Sequence, residues 1–140
     1  MSASRFIDTN VFVYHVDFSD GRKQAVADAL VREALTASSA STSFQVVQEW
    51  LNTVTRKALV PLSSRGASDY LDTVLAPLCK VWPNMLLYHR AVDLQLRWQF
   101  SFYDALIVAA ALTSGCKTLL SEDLQHGQRV ESLVIENPFL

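Results

Sequence analysis

Short apolar segments of strand character alternate along this chain with long helical patterns, and that alternation constrains its fold more than any other feature. "RFI" at 5–7 reads as a strand that ends at Asp8. Over 20–37, "DGRKQAVADALVREALTA" carries Val26, Leu30 and Ala34 at helical spacing. "ASTS" at 40–43 reads as a short strand or turn, with Ser43 as the N-cap of the next helix. In that helix Phe44, Val47, Leu51, Val54 and Ala58 step by three or four, a pattern that ends before Pro61. A further helix starts from a Ser63 or Ser64 cap and carries Tyr70, Leu71, Val74, Leu75 and Leu78. "CKV" at 79–81 is a brief strand, and helical spacing returns at Leu87, Ala91, Leu94 and Trp98. Ser101 then caps the very apolar "FYDALIVAAALTS", which Gly115 stops. "CKTLLS" is a strand ending in Glu122 and Asp123, and "SLVIENPFL" holds a last short one. Strands alternating with helices predict the α/β class, with a small, mainly parallel central sheet flanked by helices on both faces.

The 140 residues suit one domain, 1–140, and half of them are hydrophobic, enough for a real core. No internal repeat or low-complexity tract interrupts them. The net charge of −2 argues against a general nucleic-acid binder, which carries a basic face. That argument weakens if four acids are spent on a metal site, since the remainder would then carry +2. Cys79 and Cys116 are far apart and form no CxxC, so free thiols in a reducing cytosol are expected. The N-terminus lacks a basic-then-apolar signal pattern, and the longest apolar run, 105–112, is too short to span a bilayer. A cytoplasmic protein without membrane attachment is expected.

Asp8 stands between the apolar "FI" and "VFV", where an acid is costly unless its charge is compensated. In an open α/β sheet, ligands sit outside the carboxyl ends of the strands. Asp8 and Asp123 end strands there. Glu49 lies in the second turn after Ser43, and Asp104 in the first turn after Ser101, on helices that begin at the same edge. Each acid has a plainer reading: an Asx-turn for Asp8, a capping box for Asp104, a solvated stripe with Gln45, Asn52 and Arg56 for Glu49, and a polar turn for Asp123. Together, four carboxylates at one edge would repel by roughly 3 kcal/mol per close pair at an effective dielectric near 20. A divalent cation, or protonation, relieves this. With no His or Cys among them the donors are hard oxygens, which suit one or two Mg²⁺ or Mn²⁺ ions.

"FIDTNVFVY", "STSFQVVQEWLNTVTRKAL", "SFYDALIVAAAL" and "LLSEDLQHGQ…VIENPF" resemble, in order and over nearly the whole chain, the acidic motifs of PIN-domain ribonucleases, and most of all the VapC-type toxins of prokaryotic toxin–antitoxin pairs. The resemblance implies a sheet of four or five strands between helices. It implies metal-dependent endonucleolytic cleavage of tRNA, rRNA or mRNA that blocks translation. Asp8, Glu49, Asp104 and Asp123 match the family's metal-binding acids. Thr9 and Asn10 match its polar pair after the first acid. Ser121 matches the hydroxyl that helps hold that acid. Homodimerisation and a small antitoxin partner are implied as well. Glu122 has no assigned role.

For RNA contact, Arg56 and Lys57 downstream of Glu49, and His126 and Arg129 after Asp123, are the first candidates. Trp50, Trp82 and Trp98 could stack on bases, although Trp50 and Trp98 sit in helical patterns that favour the core or an interface. Two alternatives remain beside the toxin: an RNA-processing PIN nuclease without an antitoxin, and a PIN-like module that binds RNA or protein without cutting.

Overall fold

The computed structural model describes residues 4–57 and 62–140. Its strands are β1 (Arg5–Ile7), β2 (Ala40–Ser43), β3 (Cys79–Val81), β4 (Thr118–Leu120), β5 (Arg129–Val130) and β6 (Leu133–Glu136). They form one sheet in the order β3-β2-β1-β4-β6-β5. Every neighbouring pair is parallel except β5 with β6. The α/β, mainly parallel expectation therefore holds. The strand number is corrected, because six strands are present among the described residues where the resemblance implied four or five. The unforeseen β5 is two residues long and buries only Val130, so it leaves no alternating pattern to read.

The helices are α1 (Thr9–His15), α2 (Gly21–Ala37), α3 (Phe44–Asn52), α4 (Ser64–Tyr70), α5 (Ala76–Leu78), α6 (Met85–Trp98) and α7 (Phe102–Thr113). The chain starts at β1, steps outward to β2 and β3, then returns to lay β4 on the other side of β1. Right-handed crossovers put α1 to α5 on one face and α6 and α7 on the other. Accordingly α1 packs on α2 and α3, while α6 packs along α7. Eight consecutive residues of α7, Ala105 to Leu112, are buried, as a helix apolar on all sides requires. Phe6 and Ile7 of β1, Leu119 of β4, and Leu133 and Ile135 of β6 are fully buried between the layers.

Local chemistry sets most helix starts. Asp8, Asp20, Ser63, Asn84 and Ser101 each accept a backbone N–H at the N-cap. Ser43 is the exception: it occupies the cap position of α3, but its hydroxyl makes no capping bond and has no partner. After Asn52 the helix widens into one π-helical turn, Thr53–Lys57. Ala58 and the expected end before Pro61 lie outside the described residues.

Trp50 is fully buried, stacks on Tyr70 with centroids 4.5 Å apart, and donates from Nε1 to the Phe12 carbonyl at 3.1 Å. It belongs to the core and is out of reach of a base. Trp98 packs partly buried against the same core, whereas Trp82 is exposed. Both cysteines are free and buried. Among the described residues no helix is long and apolar enough to cross a membrane.

Candidate active site at the carboxyl edge

The strand order reverses at β1, which sends its chain to β2 on one side and has β4 on the other. This switch point opens a crevice beyond the carboxyl ends of β1 and β4. Asp8 follows β1 directly and Ser121 follows β4, so the topology itself brings them together. The Asp8 amide donates to the Leu120 carbonyl at 3.0 Å, continuing the ladder into the site.

Asp8 is 7% exposed. Its Oδ1 accepts the Thr9 amide at 2.7 Å, which makes it the N-cap of α1, and its Oδ2 accepts the Ser121 hydroxyl at 2.8 Å. Burial pushes its pKa up to about 6, prevailing over the lowering by the hydrogen bonds from Thr9 and Ser121, and the charges of Glu49 and Asp123 add smaller upward contributions. Asp8 thus opens α1, but by accepting the adjacent amide and not the one two residues on that closes an Asx-turn.

Thr9 links the next acid. Its hydroxyl donates to Glu49 Oε1 at 2.7 Å, joining α1 to α3. The stripe read as a solvated face divides here. Asn52 and Arg56 are exposed, but Gln45 is 4% exposed. Gln45 sits one turn before Glu49 on the same face. Its Nε2 donates to the Tyr103 carbonyl at 3.1 Å and approaches Glu49 Oε2 at 3.4 Å. It therefore straps α3 to the first turn of α7, which carries Asp104. The Gln45 Oε1 is buried without a partner. Sequence reasoning missed this role, although the i to i+4 spacing with Glu49 was available.

Asp104 follows the Ser101 cap as expected, its amide donating to Ser101 Oγ at 3.2 Å. Its side chain is half-buried, and that of Asp123 is exposed. Asp8, Thr9, Glu49 and Ser121 form one connected cluster, and Asp123 stands near enough to act on Asp8 electrostatically. Among the described residues, Asp104 is joined to it through Gln45 and the α7 backbone. Asn10 occupies the first turn of α1 and is half-buried.

Among the described residues, no group of three or more His, Cys, Asp or Glu side chains is drawn together tightly enough to hold a metal ion. The donors nevertheless fit a hard divalent ion in kind. They are all oxygens, and Asp8 has no cation paired with it among the described residues.

The remaining candidates scatter. Arg56 is exposed on the π-helical turn and Arg129 on the edge strand β5. The Lys57 side chain lies outside the described residues. His126 is exposed, and its Nδ1 accepts the Asn137 amide at 3.0 Å, which holds a turn and puts its proton on Nε2. Glu122 turns away from the acids: both of its oxygens are bonded to Lys23 and Tyr14.

In overall structure the chain resembles a toxin–antitoxin complex from Klebsiella pneumoniae, with TM-score 0.67 and 13% identity, covering 96% of this chain and 98% of that one. It resembles VapC20 of Mycobacterium tuberculosis, described as a sarcin-ricin loop cleaving toxin, with TM-score 0.62 and 22% identity over 86% and 90% of the two chains. FitAcB from Neisseria gonorrhoeae matches with TM-score 0.62 and 17% identity over 96% and 98%. At these identities the likeness establishes a shared fold. No curated protein matches the chain in sequence. The PIN domain family matches residues 5–130, a span that runs from β1 into β5 and takes in all four acids of the carboxyl edge. The chain belongs to the PIN-domain family.

Proposed function

We propose that this protein is a divalent-metal-dependent endoribonuclease, the toxin of a toxin–antitoxin pair that blocks translation by cutting RNA. The observation that carries the reading is Asp8: a buried carboxylate at the switch point, held at both oxygens, with negative neighbours and no paired cation among the described residues. Such a group is stabilised by a bound cation.

Asp8, Glu49, Asp104 and Asp123 would hold one or two Mg²⁺ or Mn²⁺ ions, the last two by rotation of side chains that are not buried. When bound, the ion activates water and neutralises charge on the phosphodiester. The chain's own groups do the positioning. Ser121 and the Thr9 amide fix Asp8, the Thr9 hydroxyl fixes Glu49, and Gln45 sets the spacing of α3 and α7. Asp8 or Glu49 orients the attacking water by accepting its proton. Water attack with departure of the 3′-oxygen leaves 5′-phosphate and 3′-hydroxyl ends. Arg56, Lys57 and Arg129 contact phosphates, and His126 offers its Nε2 proton. The exposed rings of Trp82 and Tyr103 are surfaces on which bases can stack.

A small antitoxin and a second copy of the chain are the proposed partners, within the cytoplasm. A solved structure of this fold is described as a toxin–antitoxin complex, which supports the first. Ribosomal RNA is the first substrate to try, because one protein of this fold is described as cleaving the sarcin-ricin loop. The test is cleavage of total cellular RNA with Mg²⁺ or Mn²⁺, with EDTA, and beside Asp8→Asn prepared identically. Discrete fragments from the wild type with metal alone support the reading, and their ends identify the substrate. Identical cutting by both proteins overturns it. A neighbouring gene for a small DNA-binding protein, whose co-expression relieves growth arrest, separates a toxin from an RNA-processing nuclease.

A further inference from the structure

We propose that Lys23, Tyr14 and Glu122 form a positioning unit that fixes the turn bearing Asp123, so that this acid faces the site built on Asp8. The inference rests on the nuclease reading above, which makes Asp123 a metal ligand. Lys23 Nζ donates to Glu122 Oε2 at 2.6 Å and to the Tyr14 hydroxyl at 3.2 Å. The Tyr14 hydroxyl in turn donates to Glu122 Oε1 at 2.7 Å, closing the triangle. The ammonium lies 4.7 Å from the centroid of the Tyr14 ring and 5.7 Å from that of Phe139, and the two rings meet edge-on at 4.9 Å. One cation thus joins α1, α2, the turn after β4 and the C-terminal segment.

Lys23 and Glu122 are each 23% exposed, the best-sheltered Lys or Arg ion pair among the described residues. With both oxygens committed, Glu122 is not available to a metal, and Asp123 beside it is. The turn is pinned on its other side by Ser121, whose amide donates to the Glu136 carbonyl at 2.9 Å and whose hydroxyl reaches Asp8. The two residues before Asp123 are thus both anchored, and the Leu124 amide after it donates to Ser121 Oγ at 3.4 Å, so the backbone at Asp123 is held in place while its exposed side chain can turn toward the crevice. Groups that orient a metal ligand from behind typically change metal affinity by about tenfold to a hundredfold when removed.

The experiment titrates Mn²⁺ against both melting temperature and cleavage rate for wild type, Lys23→Met, Glu122→Gln, Lys23→Arg and Asp123→Asn. Lys23→Met and Glu122→Gln should raise the half-saturating Mn²⁺ concentration by about tenfold or more, with the rate at saturating metal close to wild type. Lys23→Arg, which keeps the charge, should stay near wild type, and Asp123→Asn should lose the high-affinity response. Unchanged half-saturation with a lowered metal-free melting temperature would overturn the proposal in favour of simple bracing. Unchanged half-saturation with a rate that stays low at saturating metal would overturn it in favour of a direct role toward RNA. A wild type indifferent to Mn²⁺ would sink the nuclease reading and this role with it, a failure visible before any variant is compared.

Discussion

Asp8 and Glu122 stand at the same edge of the same sheet, one after β1 and the other after β4, and the protein treats their charges in opposite ways. Asp8 is buried among neutral donors and negative neighbours, and its pKa is pushed up to about 6. Glu122 is also pushed up by its burial, but the hydrogen bonds from Lys23 and Tyr14 outweigh that and hold it below the usual carboxylate range. One acid has its cation built in. The other has no cation paired with it among the described residues, and in the proposed function a bound metal ion takes that place. Burial alone therefore does not single out a candidate functional acid; burial without a built-in counter-charge is what marks Asp8 as one.

The largest expected effect breaks the comparison at Asp8. Asp8→Asn keeps the cap on Thr9, and Ser121 can turn its hydroxyl to accept, so the fold should persist. Cleavage at neutral pH with metal should fall by about a thousandfold or more, read as initial rate on a defined RNA.

The next effect is on metal-free stability and has a definite sign. The folded pKa of Asp8 lies above its ordinary 3.8, at about 6, so the folded state binds the proton more tightly than the unfolded one. The associated stability is present at acid pH and is lost as pH rises through that window, by about 3 kcal/mol in all. Denaturant unfolding of both proteins should show Asp8→Asn overtaking the wild type between about pH 4 and pH 6. Adding Mg²⁺ or Mn²⁺ at about a hundred times its Kd should return about 2.7 kcal/mol to the wild type and little to the variant. A stability gap that ignores both pH and metal would mean that Asp8 is only a helix cap.

Ser121→Ala removes one of the two donors that Asp8 has in the folded protein. It should cost about 1–3 kcal/mol at neutral pH, as for a buried acceptor left short of a partner. The smallest effect sharpens the contrast. Glu122 has a depressed folded pKa, so its stabilisation is present above its ordinary value of 4.5 and is lost as pH falls through the folded pKa. Glu122→Gln should cost up to about 1 kcal/mol at pH 7, and the cost should shrink on acidification, opposite in direction to Asp8→Asn.

The alternation of elements was legible because each long helix leaves a 3.6-residue pattern and a cap of Ser, Asn or Asp. Even the four acids could be assigned to one edge, since a strand end and the start of the following helix share that edge in any parallel α/β sheet. Sequence reasoning failed where function runs between elements. Gln45 read as part of a solvated stripe because a glutamine on a helix face is polar whether it meets water or a buried carbonyl. Glu122 could not be assigned because its partner Lys23 lies 99 residues away along the chain. β5 was too short to leave a pattern, and the capping bond expected of Ser43 is not made.

The sequence by itself thus determined the class of fold and the placing of four oxygen-donor acids toward the carboxyl edge, where the proposed chemistry would occur. These follow from local rules of periodicity, capping and residue chemistry. Only the tertiary structure decided which acid carries its own counter-charge, which polar side chains strap the acids together, and which tryptophan is core. The reason is physical. A carboxylate's charge is set by the dielectric and the donors around it, and those come from parts of the chain that meet only when the sheet is assembled.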